Sequence, residues 1–250
     1  MKHKTILWQI ILICIACFIV YSNNFKHDFH LDSWHTIESN TYVRSLKYIP
    51  KYFVDAKTSS CLNSNLLYRP VLYITYAINY SISKYNTWSW HLFQILFHLA
   101  VALGLYFFSK EIINIFYTDR KYSFKKFTPF FIALIFAIHP AGSGIVNYLT
   151  ARSSLLVAAF LMPSFVFYLK NIQAKKTYAI VPIVLYTLAL FTKVEAIGAL
   201  AVYYLLEVLI FAKKNEKKKN LFLDVYGSIN KQVILRLAPF FFISTIYFVI

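Results

Sequence analysis

Several apolar runs, each long enough to cross a lipid bilayer, constrain this chain more than any other feature. A helix needs about 17–25 mainly apolar residues to span the hydrocarbon core. Hydrophobic residues make up 59% of the sequence, against about 45–50% in soluble domains. We therefore predict an all-α integral membrane protein. The predicted spans are residues 5–22, 91–110, 128–147, 153–170, 177–193, 196–212 and 234–250, with residues 24–90 as a long first loop.

The net charge of +16 could indicate a nucleic-acid partner, but the position of the basic residues excludes that reading. They lie mainly between the apolar runs, where basic residues set membrane orientation. With the N-terminus in the cytoplasm, the basic segments 110–126, 170–176, 213–219 and 231–236 all face inward, and the short outer loops hold only Arg152 and Lys193. The sequence therefore predicts a multi-pass protein of a bacterial inner membrane with a cytoplasmic N-terminus.

The first 90 residues leave some alternatives open. The run 5–22 follows a basic start, so it fits a cleaved signal peptide as well as a retained anchor, and its length favours the anchor. Residues 43–54 have apolar residues at helical spacing with lysine and arginine between them, which predicts a helix lying in the interface. Residues 66–82 are apolar but interrupted by Arg69-Pro70, so we predict a second interfacial or re-entrant helix there.

Polar residues, most of them ionisable, gather on the predicted outer side of the membrane. Ionisable residues in or next to spanning segments are costly and usually mark a functional cavity. The alternative, purely structural interpretation is that Lys193 and Glu195 only cap outer helix ends in water. Cys14 and Cys17 lie inside the first apolar run and Cys61 stands alone, so the cysteines form no zinc motif. The outer group comprises Asp28, Asp32, Glu38, Asp55, Glu195, His27, His30, His35, His139, Asn147, Arg152 and Lys193.

Five segments occur in order over residues 24–212: FHLDSWHTIESNTYVRSLKYIPKYF, LLYRPVLYITYAINYSIS, WHLFQILFHL, FAIHPAGSGIVNYLTARSSLL and LFTKVEAIG. Together they resemble segments of a known family, the membrane glycosyltransferases of the GT-C fold. The similar proteins are bacterial family-39-like proteins and the transmembrane, tetratricopeptide-repeat relatives of the protein O-mannosyltransferases.

The resemblance implies an enzyme that moves a sugar from a polyprenyl-phosphate donor to a hydroxyl acceptor, a protein or a glycan, at the outer membrane face. It implies Asp32 as the catalytic carboxylate, since Phe29, Asp32 and Asn40 match the family's first-loop pattern. Ser33 and Gly144 stand where relatives often carry acids, which puts a metal site or full activity in doubt. The candidate phosphate ligands are Arg69, His139, Arg152 and Lys193, and the candidate supporting residues are Asn40, His91, His98 and Glu195.

The residue types suit this chemistry. A carboxylate can take the proton of the acceptor hydroxyl, and the planar fork of arginine matches two phosphate oxygens. Each residue also has a structural alternative. Asp32 could cap a helix that begins near Trp34, Arg69 could extend to the interface, and His91 and His98 could be packed core histidines on one helical face.

Two other functions compete with the transferase: a polyprenyl-lipid carrier or transporter, and a non-catalytic relative that acts as a scaffold in the membrane. The sequence identifies no certain cofactor: a divalent cation is compatible with the fold but has no support in the sequence. Because the apolar run 234–250 reaches the last residue, we expect an amino-terminal part of a longer membrane protein.

Overall fold

A computed structural model of the chain describes residues 3–117, 123–177, 180–214 and 229–249. Within these ranges the backbone forms helices and no strand, as expected for an all-α membrane protein. Proline occupies the first turn of α3, and the Asn86 side chain accepts a hydrogen bond from the Trp88 amide at the start of α4. The helices are α1 (His3–Tyr21), α2 (Ile49–Tyr52), α3 (Pro70–Ser83), α4 (Thr87–Phe116), α5 (Thr128–Ile138), α6 (Ser143–Asn147), α7 (Arg152–Gln173), α8 (Ile180–Leu190), α9 (Ala199–Lys214) and α10 (Lys231–Val249).

Among the described residues, five helices are long and apolar enough to cross a membrane: α1, α4, α7, α9 and α10. A sixth span is present if α5 and the segment Pro140–Asn147, which meet at a 50° bend, are counted together. Within the described residues, helix α8 is apolar and 11 residues long. Residues 178–179 and 250 of the predicted spans, and 118–122 and 215–228 in or next to the predicted inner loops, lie outside the described ranges. The count of seven spans therefore stays a prediction.

Two apolar cores hold the spanning helices together. One core joins α1, α4 and α5 around Ile13, Ile95 and Ala133. The other joins α7, α8, α9 and α10, and four aromatic side chains in tilted or edge-to-face contact lie at its centre: Tyr168, Tyr186, Tyr203 and Phe240. Large buried rings of this kind contribute much of the packing area in a core.

The first loop is folded and not helical throughout. The predicted interfacial helix over 43–54 is wrong in its extent, because Ser45 has an extended backbone (φ −152°, ψ 133°) that interrupts it. Short helical turns at Thr41–Arg44 and Leu46–Tyr48 replace it, followed by the single turn of α2. A third core packs this loop against α3, α4 and α7, with Ile37, Tyr76 and Trp90 in its interior.

Helix α3 occupies the place predicted for a second interfacial helix. Its 14 residues rise only about 21 Å, less than the roughly 30 Å of a hydrocarbon core. The amide of Val71 donates to the carbonyl of Phe191 at 3.2 Å, so α3 begins beside the end of α8. This contact brings the first loop to the turn between α8 and α9.

Candidate functional site

A cavity of about 220 Å³ opens where the first loop meets the turns before α7 and after α8. Its wall is about half polar and combines residues that are up to 161 positions apart in the sequence, from Asp32 to Lys193. The chain therefore brings together one carboxylate and two cations that sequence alone could only propose as a group. The lining residues are Asp32, His35, Thr36, Asn65, Leu67, Arg69, Leu72, Tyr73, Tyr76, Tyr148, Thr150, Ala151, Ser153, Ser154 and Lys193.

Asp32 presents its carboxylate at the mouth of this cavity. Its side chain is 63% exposed, and it follows Leu31, whose backbone has a positive φ of 51° and turns the chain sharply. The Tyr148 hydroxyl donates to Asp32 Oδ2 at 2.6 Å, and His35 Nε2 lies 3.6 Å from Asp32 Oδ1. Asp32 therefore accepts a hydrogen bond from Tyr148 and lies beside the His35 imidazole, and both of these residues line the cavity.

The His35 ring is buried behind Asp32 and is fixed by two neighbours. Its Nδ1 lies 2.9 Å from Ser60 Oγ, and the Asn65 side-chain amide lies 3.5 Å from its Nε2. If Nδ1 carries the proton and donates to Ser60, the Nε2 lone pair faces both the Asn65 amide and the Asp32 carboxylate. In that tautomer the imidazole accepts from the Asn65 amide and donates no hydrogen bond to Asp32.

Two cations, Arg69 and Lys193, line the same cavity as the carboxylate. The Arg69 side chain is half-buried and makes no hydrogen bond or ion pair with any part of the chain that the structure describes. Lys193 Nζ lies 3.0 Å from Glu195 Oε1 and 3.5 Å from Ser154 Oγ. Glu195 itself is 59% exposed and does not line the cavity. Arg69 is therefore the cation with donors to spare for an incoming anion.

Arg152, a predicted phosphate ligand, points away from this cavity. Its guanidinium is fully buried and donates to Gln94 Oε1 at 3.1 Å, to the Trp90 carbonyl at 3.1 Å and to Asn79 Oδ1. The rings of Tyr76, Trp90, Phe93 and Phe97 lie within about 6 Å of it. The donors of Arg152 are used inside the protein, and its neighbours Thr150, Ala151, Ser153 and Ser154 line the cavity while Arg152 itself does not.

Three of the predicted supporting residues have structural roles in this arrangement. Asn40 donates to the carbonyls of Thr36 and Thr58 and accepts from the Tyr42 amide, which closes the first loop. The Nε2 atoms of His91 and His98 lie 3.0 Å from the His27 carbonyl and 3.1 Å from the Ala137 carbonyl. Both rings are buried, so neither meets the cavity of Asp32.

His139 lies in a separate, mainly apolar cavity of about 450 Å³ beside the break between α5 and α6. Its Nδ1 accepts the Ala141 amide at 3.1 Å. The extended backbone of His139 is typical of a residue that precedes proline. The structure therefore does not bring His139 together with Asp32, Arg69 and Lys193.

The two positions that differ from the family pattern also differ in their surroundings. Ser33 is buried, and its hydroxyl has no hydrogen-bond partner in the described chain. A Cβ added at Gly144 would meet no atom within 4 Å. Within the described ranges no group of three or more His, Cys, Asp or Glu side chains could hold a metal ion.

Two residues of the site, Tyr148 and His35, are not predicted as site residues from the sequence. His35 belongs to the predicted outer group of polar residues, together with the nearby Asp28, Asp32 and His30, so its position in the sequence is a usable signal. Tyr148 gave no comparable signal, because a tyrosine after a short helix is usual at a membrane boundary. Burial and the hydrogen bond to Asp32 both raise the pKa of Tyr148 above its ordinary value, so its hydroxyl stays protonated and can donate at neutral pH.

Comparison with known proteins finds relatives of one kind. The chain is 27% identical over 165 residues to Protein O-mannosyl-transferase F38B6.6 of Caenorhabditis elegans, which covers 64% of this chain and 23% of that protein. It is 24% identical over 223 residues to Protein O-mannosyl-transferase TMTC4 of Homo sapiens, covering 83% and 30% of the two chains. The match to TMTC3 of Mus musculus is 29% over 122 residues, or 49% and 12%.

The chain thus spans less than a third of the length of these curated relatives. No family model and no solved structure matches it.

Proposed function

The chain is a homologue of the protein O-mannosyl-transferases, and on this premise we propose that it is a glycosyltransferase of the GT-C fold. The reaction we propose moves a sugar from a polyprenyl-phosphate donor to a hydroxyl acceptor at the extracytoplasmic face of the membrane. The names of the relatives make mannose the first sugar to test and a protein hydroxyl the first acceptor.

One observation carries this proposal: a carboxylate and two cations line the same cavity, although they come from three distant parts of the chain. Asp32 acts as the base that takes the acceptor proton when the new glycosidic bond forms. A positioned base of this kind typically contributes about 10²–10⁴-fold to the rate. The exposure of Asp32 leaves its carboxylate accessible to an acceptor that arrives from water.

Arg69 is the donor-phosphate ligand in this proposal, and Lys193 supports it. A guanidinium binds phosphate oxygens through two parallel hydrogen bonds, while an ammonium acts as a point charge. Arg152 and His139 are not part of the proposed phosphate site, because the structure places their side chains elsewhere. Asn40, His91 and His98 shape the site through packing and hydrogen bonds.

The charge bias of the loops supports an extracytoplasmic position for the cavity. In the sequence, the basic runs fall in the loops that alternate along the chain with the loops that carry the site residues, so the N-terminus is cytoplasmic in this proposal. The bacterial inner membrane remains our prediction for the location.

The first test is the substitution Asp32→Asn in the full chain. Reconstituted protein would receive undecaprenyl-phosphate-linked and dolichyl-phosphate-linked [³H]mannose together with a mixture of serine and threonine peptides. We expect Asp32→Asn to lower transfer about 100-fold or more while binding of the labelled donor persists, and Arg69→Gln to weaken donor binding.

Asp28→Asn is the matched control, because Asp28 is an exposed acid on the same loop that does not line the cavity. Full transfer by Asp32→Asn would overturn the assignment of the base. Donor binding without transfer by the wild type would favour the lipid carrier, and neither binding nor transfer would favour the scaffold.

A further inference from the structure

A line of hydrogen bonds connects the buried Arg152 guanidinium to the exposed Asp32 carboxylate. Arg152 Nε donates to Gln94 Oε1 at 3.1 Å, and Gln94 Nε2 donates to the Tyr148 carbonyl at 3.1 Å. The Tyr148 hydroxyl then donates to Asp32 Oδ2 at 2.6 Å. We infer that Tyr148 is the positioning residue of the Asp32 base, and that Gln94 and Arg152 act on the base through it. This inference rests on the proposed function.

The first loop alone does not fix the Asp32 side chain. An exposed carboxylate on a sharp turn can sample several rotamers, and holding it in one of them costs conformational entropy. Among the described residues, Tyr148 is the side chain that donates a hydrogen bond to this carboxylate. The Asp32 amide also points back to the Tyr148 hydroxyl at 3.4 Å, so one phenol contacts both ends of the same residue.

Tyr148 can hold the carboxylate only if it is itself held. The Gln94 amide donates both to the Ile145 carbonyl and to the Tyr148 carbonyl at 3.1 Å. These two hydrogen bonds fix the backbone at the C-terminal end of α6 and at Tyr148, which follows it. Gln94 is fully buried in α4, and its oxygen is taken by Arg152. The position of the phenol is therefore set by a rigid helix and not by the turn alone.

The charged groups around Asp32 differ in how they could influence it. His35 Nε2 lies 3.6 Å from the other carboxylate oxygen, and Arg69 and Lys193 line the same cavity without an ion pair to Asp32. The Tyr148 phenol is neutral and lies 2.6 Å from Asp32 Oδ2. It can therefore orient the carboxylate without forming an ion pair with it. A hydrogen bond to the ionised form also favours that form, which is the form that a general base needs.

This role explains why a buried arginine stands beside the cavity without touching it. Its charge is satisfied by neutral acceptors and aromatic faces, and its contribution to the site is geometric. An arginine that bound the donor would instead line the cavity, as Arg69 does.

The test compares Tyr148→Phe with Tyr85→Phe in the reconstituted full chain. Tyr85 donates to the Glu38 carbonyl at 2.9 Å, so its substitution removes an equivalent anchor of the same loop without touching the carboxylate. We expect Tyr148→Phe to lower kcat about 10- to 100-fold with the KM for labelled polyprenyl-phosphate mannose nearly unchanged. Tyr85→Phe should stay within about twofold of the wild type.

The pH–rate profile separates positioning from a purely structural effect. Loss of the phenol removes a donor to the ionised carboxylate, so the acid limb of the Tyr148→Phe profile should move to higher pH. The Tyr85→Phe profile should keep its acid limb. An unshifted limb in both variants would overturn the inference.

The role of Gln94 is tested by a double-mutant cycle. Gln94→Met removes the amide that holds the Tyr148 carbonyl, so it should lower kcat in the wild type and add little in the Tyr148→Phe background. Independent, additive losses would contradict an action through Tyr148.

A readout without turnover keeps this inference separate from the proposed function. A water-soluble carbodiimide couples to protonated carboxyls, and mass spectrometry of the first-loop peptide resolves Asp32 from the exposed Asp28. We expect the pH midpoint of coupling at Asp32 to rise in Tyr148→Phe and that of Asp28 to stay constant. A rise in the absence of any sugar transfer would retain Tyr148 as a positioning residue and overturn only the proposed reaction, and an unchanged Asp32 midpoint would overturn the inference.

Discussion

Two arginines are buried between the helices of this protein, and they are stabilised in different ways. Arg236 in α10 forms a two-bond ion pair with Glu207 of α9, at 2.6 and 2.8 Å, and the Tyr168 hydroxyl of α7 donates to the same carboxylate at 2.8 Å. Arg152 has no carboxylate partner in the described chain and is held by neutral oxygens and aromatic rings. Arg236 is thus stabilised mainly by one carboxylate, and Arg152 by many neutral groups.

The difference follows from where each side chain lies. Glu207, Arg236 and Tyr168 join three helices inside an apolar core. A lone buried charge would strongly destabilise such a core, so a close counterion is needed. Arg152 lies under the loop and cavity, among polar groups of α3 and α4 that can solvate a cation. We therefore expect the two regions to respond to the loss of one partner by different amounts.

The largest effect is expected from Glu207→Gln. It leaves the Arg236 charge buried without a counterion, which typically costs about 3–5 kcal/mol. Thermal unfolding of the protein in detergent, followed by circular dichroism, would measure this loss. Replacing both residues by leucine should recover much of the stability, because it removes the uncompensated charge. A single substitution with no effect on unfolding would contradict the ion pair as the joint between α9 and α10.

A smaller effect is expected from Asn79→Leu in the other region. The substitution removes one of several acceptors of Arg152 and leaves Ser89 without its 3.1 Å donor. The loss of one partner in such a network typically costs about 1–3 kcal/mol. The same unfolding measurement applies, with the exposed Asn63→Leu as control. A loss as large as that of Glu207→Gln would show that Arg152 also depends on a single partner.

The smallest effect is expected from Glu195→Gln at the cavity rim. The Lys193–Glu195 pair is partly exposed, and exposed pairs contribute about 0–1 kcal/mol. We expect the unfolding midpoint to change little and the difference to shrink in high salt. A loss of stability that does not depend on salt and is as large as that of Asn79→Leu would contradict this prediction, because it would show that the Lys193–Glu195 pair behaves as a buried pair.

The same contrast explains how far the sequence could lead. Apolar runs predict α1, α4, α7, α9 and α10 because the pattern is local. The distribution of basic residues between the loops predicts Arg236 as a cation of an inner loop. In the structure its partner is Glu207, which lies on another helix 29 positions away. No local pattern contains such a pair, so the buried ion pair was beyond prediction.

The site shows the same limit. Asp32, Arg69 and Lys193 were predicted together from a resemblance, and the structure places them in one cavity. The direction of the Arg152 side chain depends on acceptors 58 to 73 positions away in α3 and α4, which its own segment does not reveal. The first loop is likewise closed by long-range contacts, such as Asn40 to Thr58 and His35 to Ser60.

The short helix α8 has a consequence for how a lipid could reach this cavity. Eleven residues rise only about 16 Å, roughly half of the hydrocarbon thickness. In the orientation that we propose, a helix of this length that starts at the inner boundary would leave the ammonium of Lys193 below the outer headgroups. Under the proposed reaction, a lipid-borne phosphate would then approach Lys193 by sinking locally into a thinned leaflet, with its long tail still surrounded by acyl chains.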